Sequence, residues 1–120
     1  MPKHALRILP LIALLLLMLS FAVADSYTTL FEGDGGAAVH ALKVRLYDLG
    51  YFKTTKFSKV YNETTAERVR EFQKLNGLEV TGIADPAMQE LLYSDTCLAA
   101  NGMTAEEYLY LASLTPTPKP

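Results

Sequence analysis

The sequence predicts an all-α fold: a small three-helix bundle followed by a fourth, C-terminal helix. Three observations carry this. Apolar residues recur at helical spacing in three separate stretches between Val39 and Leu92. Helix start and stop residues bound those stretches, among them Gly50, Asn76-Gly77 and Asp85-Pro86. Only Leu78, Val80 and Ile83, around Gly82, alternate, which predicts a short extended link and no long sheet.

The first residues read as a leader. Met1 to Arg7 carries Lys3 and Arg7 and no acid, and Leu11 to Leu19 is almost wholly aliphatic. Ala22-Val23-Ala24 then places small residues at both ends of an A-x-A cleavage pattern. This predicts a secretory signal peptide over 1–24 and a mature chain beginning at Asp25. The competing reading is an uncleaved anchor, because Ile8 to Val23 approaches the roughly 20 residues of a membrane span. Pro10 and the small-residue site argue for removal. No Cys follows that site, which argues against a bacterial lipid anchor.

Helix one follows the flexible run Gly33-Asp34-Gly35-Gly36. Val39, Leu42, Leu46 and Leu49 stand at steps of three, four and three, on one helical face. His40, Lys43, Arg45 and Asp48 fall away from that stripe. Gly50 sits where a left-handed residue ends a helix, and Tyr51 and Phe52 read as packing residues beneath the next loop. Lys53 to Asn62 is irregular, polar and basic. Helix two is expected from Thr64 or Thr65, with Thr64 and Glu67 spaced as a capping box. Val69, Phe72 and Leu75 continue it until Asn76-Gly77. Asp85 as N-cap and Pro86 at the first position open helix three, with Met88, Leu91 and Leu92 as its stripe. Thr104 and Glu107 form another capping box, and Met103 with Tyr108 a hydrophobic staple. They predict helix four over Ala105 to Leu114, with Tyr108, Leu111 and Ala112 on one side. Thr115 to Pro120 reads as an extended tail or linker. The expected core is Val39, Leu42, Leu46, Leu49, Val69, Phe72, Leu78, Ile83, Leu91 and Leu92.

Composition narrows the function. Loss of 24 of 120 residues leaves 96, enough for one domain with a modest core. Lys3 and Arg7 leave with the leader and every acid stays, so nine basic residues face 13 acidic ones, a net charge of −4. That balance argues against nucleic acid as the partner. Cys97 is the only cysteine, so no intrachain disulfide can form, and it reads as a half-buried, inert thiol.

One ordered set of residues is more specific. It runs Leu30-x2-Gly33, Val39-x2-Leu42, Leu46-x2-Leu49-Gly50-Tyr51, Tyr61-Asn62, Thr65-x3-Val69-x2-Phe72-Gln73, Gly77-Leu78, Gly82 and Asp85-Pro86. At these distances the set resembles the peptidoglycan-binding-like family over Leu30 to Tyr93. The resemblance implies a three-helix module that adheres to wall polymer and performs no chemistry on it. Three departures stand out. Lys43 stands where the family usually has Gln, Ser58-Lys59-Val60-Tyr61-Asn62 replaces an Asp-Gly-x-aromatic-Gly turn, and Thr81-Gly82 replaces a second Asp-Gly. Asn62 substitutes for Gly because Asn tolerates a left-handed backbone.

Catalysis finds no support in the residues. The leader takes His4 and leaves His40 as the only histidine, too few for a zinc site within one chain. No nucleophile-elbow motif surrounds any Ser. Glu67 and Glu71 read as a solvated helix face pairing with Arg68, Arg70 or Lys74, and not as a glycosidase pair. No cofactor or metal is expected. The partner the resemblance implies is bacterial peptidoglycan, with the chain secreted to the cell wall. The alternative is a protein-interaction module using helix four or the Lys53 to Asn62 loop. Candidate ligand residues are Tyr61 for a sugar face, Arg68 for a stem-peptide carboxylate, and Asn62 and Gln73 for amides or hydroxyls. Each also has a structural reading: Tyr61 as a loop anchor, Asn62 as a left-handed turn residue, Arg68 and Gln73 as helix-surface groups.

Overall fold

The computed structural model describes residues 27–115. The expected leader and the end of the tail lie outside the described residues. Four helices follow one another: α1 (Ala37–Asp48), α2 (Glu63–Leu75), α3 (Pro86–Leu92) and α4 (Ala105–Leu114). Among the described residues there is no β-strand, only isolated bridges such as Leu30 with Ala84 and Gly35 with Val60. No described helix is long and apolar enough to cross a membrane.

The expected stripes form the core. Val39, Leu42, Leu46, Leu49, Val69, Phe72 and Leu92 have no exposed surface. Tyr51, Phe52, Tyr61, Met88 and Cys97 join them in one cluster. Three expected members differ. Leu78 and Leu91 are half-buried, and Ile83 is 41% exposed because its neighbour Ala84 takes the inward position.

Caps set the helix boundaries. Asp85 accepts from the Met88 N–H at 2.7 Å with Pro86 at the first helical position, as the sequence predicts. Thr104 accepts from the Glu107 N–H at 3.4 Å. For α2 the cap is Asn62, not Thr64. Its Oδ1 accepts from the Thr65 N–H at 3.0 Å, so the helix begins at Glu63.

Arg45 joins α1 to the end of α3, donating to the carbonyls of Leu92 and Ser94, each at 2.9 Å. The chain before α1 is stitched to the link between α2 and α3. Leu30 and Ala84 exchange two 2.9 Å backbone bonds, and buried Gln89 donates to the Thr28 carbonyl at 2.7 Å. The C-terminal extension is docked as well. The Ala100 N–H donates to the Leu49 carbonyl at 2.9 Å, and Ala105 is fully buried. Helix α4 packs through Tyr108 and Leu109, while Leu111 and Ala112, expected on one side with Tyr108, are exposed.

Candidate functional site

Helix α2 is the spine of the molecule, and its two flanks meet different loops. Thr64, Arg68, Glu71 and Leu75 stand four, three and four apart, so they form one stripe along its length. The segment following α1 faces the upper part of that stripe. There, Tyr51, Phe52, Lys53, Thr54, Thr64 and Arg68 line a groove of about 280 Å³. Below it, Tyr51, Glu71, Lys74, Leu75 and Ala100 line a second groove of about 440 Å³. The two adjoin at Tyr51.

Charges of both signs line this trough: Lys53, Arg68, Glu71 and Lys74. Arg68 Nη1 donates to Glu71 Oε1 at 2.6 Å, and Nη2 lies 3.8 Å from Glu67 Oε2. Tyr51 is fixed by its hydroxyl, which donates to the Leu98 carbonyl at 2.6 Å, and by edge contact with the Phe72 ring at 5.6 Å. Burial pushes the Tyr51 phenol up to about 12, so it stays a neutral donor.

The opposite flank holds two of the expected ligand residues, in structural roles. Gln73 is 2% exposed. Its Oε1 accepts from the N–H groups of Thr81 at 2.9 Å and Gly82 at 3.0 Å, and its Nε2 donates to the Ile83 carbonyl at 2.9 Å. Tyr61 donates its hydroxyl to the Gly82 carbonyl at 2.5 Å. Its ring has no exposed surface, so it offers no face to a sugar; it anchors the loop. Burial raises its pKa, with Arg70 partly offsetting the rise.

Asn62 has φ −97 and caps α2, so it is not a left-handed turn residue. Of the four expected ligand residues, Tyr61 and Gln73 meet on Gly82, Asn62 sits at the helix start, and Arg68 alone lies in the trough. They do not form one patch.

Lys43 is also placed differently from expectation. It is 1% exposed, and its Nζ donates to the Ser58 carbonyl at 2.8 Å and to the Val60 carbonyl. Burial lowers its pKa. Lys43 thus ties the irregular loop to α1.

Cys97 is buried among the carbonyls of Leu92 and Ser94, with its pKa raised by desolvation. Among the described residues no three His, Cys, Asp or Glu side chains gather as metal ligands. The sequence does not single out the trough residues Lys53, Thr54, Glu71, Lys74, Leu75 and Ala100 as a site. The stripe through Arg68 at helical spacing was the available signal.

A peptidoglycan binding domain family model matches residues 35–92. Among solved structures, the N-terminal domain of SleB is 32% identical, with a TM-score of 0.52 over 57% of this chain and 93% of that one. This chain belongs to the peptidoglycan-binding domain family. A fused Zn-dependent amidase/peptidase/peptidoglycan-binding domain-containing protein from Clostridium acetobutylicum also matches. There the identity is 21% and the TM-score 0.51, over 58% of this chain and 30% of that one, a likeness of fold alone. Among curated proteins none matches. The matched residues end with α3, and the segment that brings Ala100 to the trough lies beyond them.

Proposed function

We propose that this chain is an exported, non-catalytic module that holds itself, or a larger protein, on cell-wall peptidoglycan. The observation that carries the site is the trough beside Arg68, an apolar floor at Tyr51 and Leu75 with charges of both signs at its rims. A peptide stem presents carboxylates, amides and, where it is not cross-linked, an amine. Arg68 suits a stem carboxylate through its planar, multi-donor guanidinium, and Glu71 suits an amine. A shallow trough of this size implies weak, reversible binding that gains strength from repetition along the polymer.

In this reading residues 1–24 are a signal peptide, 25–94 the wall-binding domain, 95–114 a helical extension and 115–120 a tail or linker. Cys97 supports a role without chemistry: it is buried and held as a neutral thiol, the inert condition of a structural cysteine.

Cosedimentation with purified sacculi tests the site. Arg68→Ala and Leu75→Glu, each verified by helical signal and melting temperature, should pellet less than wild type. Equal pelleting of both folded variants would remove the trough from the reading. Mass spectrometry of secreted material tests export, with Asp25 expected as the first residue.

A protein-interaction role draws on a different observation. Helix α4 leaves Tyr110 64%, Leu111 45% and Leu114 60% exposed. Retained sacculus binding after Leu111→Ser and Leu114→Ser would separate that face from wall adhesion.

A further inference from the structure

A second solvent-facing feature lies on the far flank of α2, away from the Arg68 trough. The antiparallel bridge between Leu30 and Ala84 turns both of those side chains inward, 6% and 0% exposed. By the alternation of extended chain, their neighbours Phe31 and Ile83 stand opposite each other and point outward. Phe31 is 52% exposed and Ile83 41%.

The backbone beneath this pair is fixed on both sides. Asp34 Oδ2 accepts from the Phe31 N–H at 2.9 Å, the Asp34 N–H returns to the Phe31 carbonyl at 3.0 Å, and Gln73 holds the Ile83 carbonyl. Arg70 completes the surface. Its guanidinium covers Gly82, so close that a Cβ there would lie 3.0 Å from Nε. Among the described residues Arg70 has no ion pair, whereas Arg68 is tied to Glu67 and Glu71.

An exposed aromatic ring on a fixed backbone, flanked by an aliphatic side chain and an unpaired set of N–H donors, suits one chemical class. Sugar rings present C–H-rich faces that lie on an aromatic surface, while their hydroxyl and N-acetyl oxygens accept edge hydrogen bonds. We infer that Phe31, Ile83 and Arg70 form a glycan-binding platform, separate from the Arg68 trough, that takes the sugar backbone of the polymer. This rests on the reading of the chain as a peptidoglycan binder. It gives the two flanks of α2 different duties, peptide on one and sugar on the other. It also supplies the sugar-facing ring that buried Tyr61 does not.

NMR titration of the isotope-labelled chain with glycan strands stripped of their peptides by amidase treatment tests the platform. Shifts are expected at Phe31, Gly82, Ile83 and the Arg70 side chain, with little change at Arg68. Phe31→Ala should weaken binding to these strands about tenfold, which is about 1.4 kcal/mol. Phe31 is exposed, so the variant should keep its melting temperature; Phe31→Tyr should retain binding. Arg68→Ala should bind peptide-free strands like wild type. If intact sacculi are bound but stripped strands are not, or if Phe31→Ala binds them undiminished, the platform is refuted and the wall reading stands. If neither intact nor stripped material is bound, both fall. Capture of a protein on this face in place of sugar would also overturn it.

Discussion

The side-chain amide of Asn76 grips the main chain of Leu98 from both ends. The Leu98 N–H donates to Oδ1 at 2.7 Å, while Nδ2 donates to the Leu98 carbonyl at 3.4 Å and to Phe72 at 2.9 Å. The residue that stops α2 therefore also moors the C-terminal extension, the segment that brings Ala100 to the trough. Asn76→Ala strands a half-buried N–H, and we expect a loss of about 1–3 kcal/mol in chemical denaturation. Amide exchange should quicken at Leu98 and along α4 before it does in α1. Uniform quickening would show that the extension is not separately moored.

Gly50 links the end of α1 to α4. It holds φ +87, and a Cβ there would sit 3.0 Å from the Tyr108 hydroxyl. Gly50→Ala should cost more than about 1 kcal/mol, because the backbone is left-handed and Tyr108 must move. A thermal melt gives the size of the effect. An unshifted Tyr108 ring resonance would contradict this packing.

The core should be intolerant where α1 meets α2. Leu46 and Phe72 have no exposed surface, so truncation to Ala should cost about 2–5 kcal/mol each. In a domain of this size that is much of the total stability. Melting within a degree or two of wild type for both variants would refute the assignment. Cys97→Ser is the informative contrast. The sequence reads Cys97 as half-buried and inert, but the thiol is 1% exposed, and a hydroxyl there must find a carbonyl of Leu92 or Ser94.

Alkali should unfold the domain. Burial raises the phenols of Tyr51, to about 12, and of Tyr61 and Tyr93, all from an ordinary value of 10.0. A raised folded value means stability that is fully present below pH 10 and lost as pH climbs through the folded values. For Tyr51 that window is pH 10 to about 12. Lys43 works in the opposite sense, since its lowered value adds stability as pH rises toward 10.5. With three phenols against one ammonium, the denaturation midpoint should fall above pH 10, and Tyr51→Phe should flatten the fall. Ionisation of all seven tyrosines near pH 10 in a still-folded chain would contradict this.

Much of this molecule is written in its local pattern. The spacing of Val39, Leu42, Leu46 and Leu49 determined a helix and its buried face, because apolar area must leave water and only one period permits it. Asp85-Pro86 and Thr104 determined where α3 and α4 begin, because capping is satisfied within four residues. The family pattern lay in the same short-range spacings.

What tertiary structure alone decided is the fate of the polar and mixed side chains. Lys43 and Gln73 read as solvated positions, yet both are buried, because their partners lie on other segments: the carbonyls of Ser58 and Val60 for one, the 81–83 turn for the other. Tyr61 likewise spends its hydroxyl on Gly82 and its ring on the core, leaving Arg68 alone of the expected site in a groove. A hydrogen bond between residues far apart in sequence has no period. The chain therefore announces which apolar faces it buries, while the choice between buried clamp and exposed ligand group waits for the loops to close.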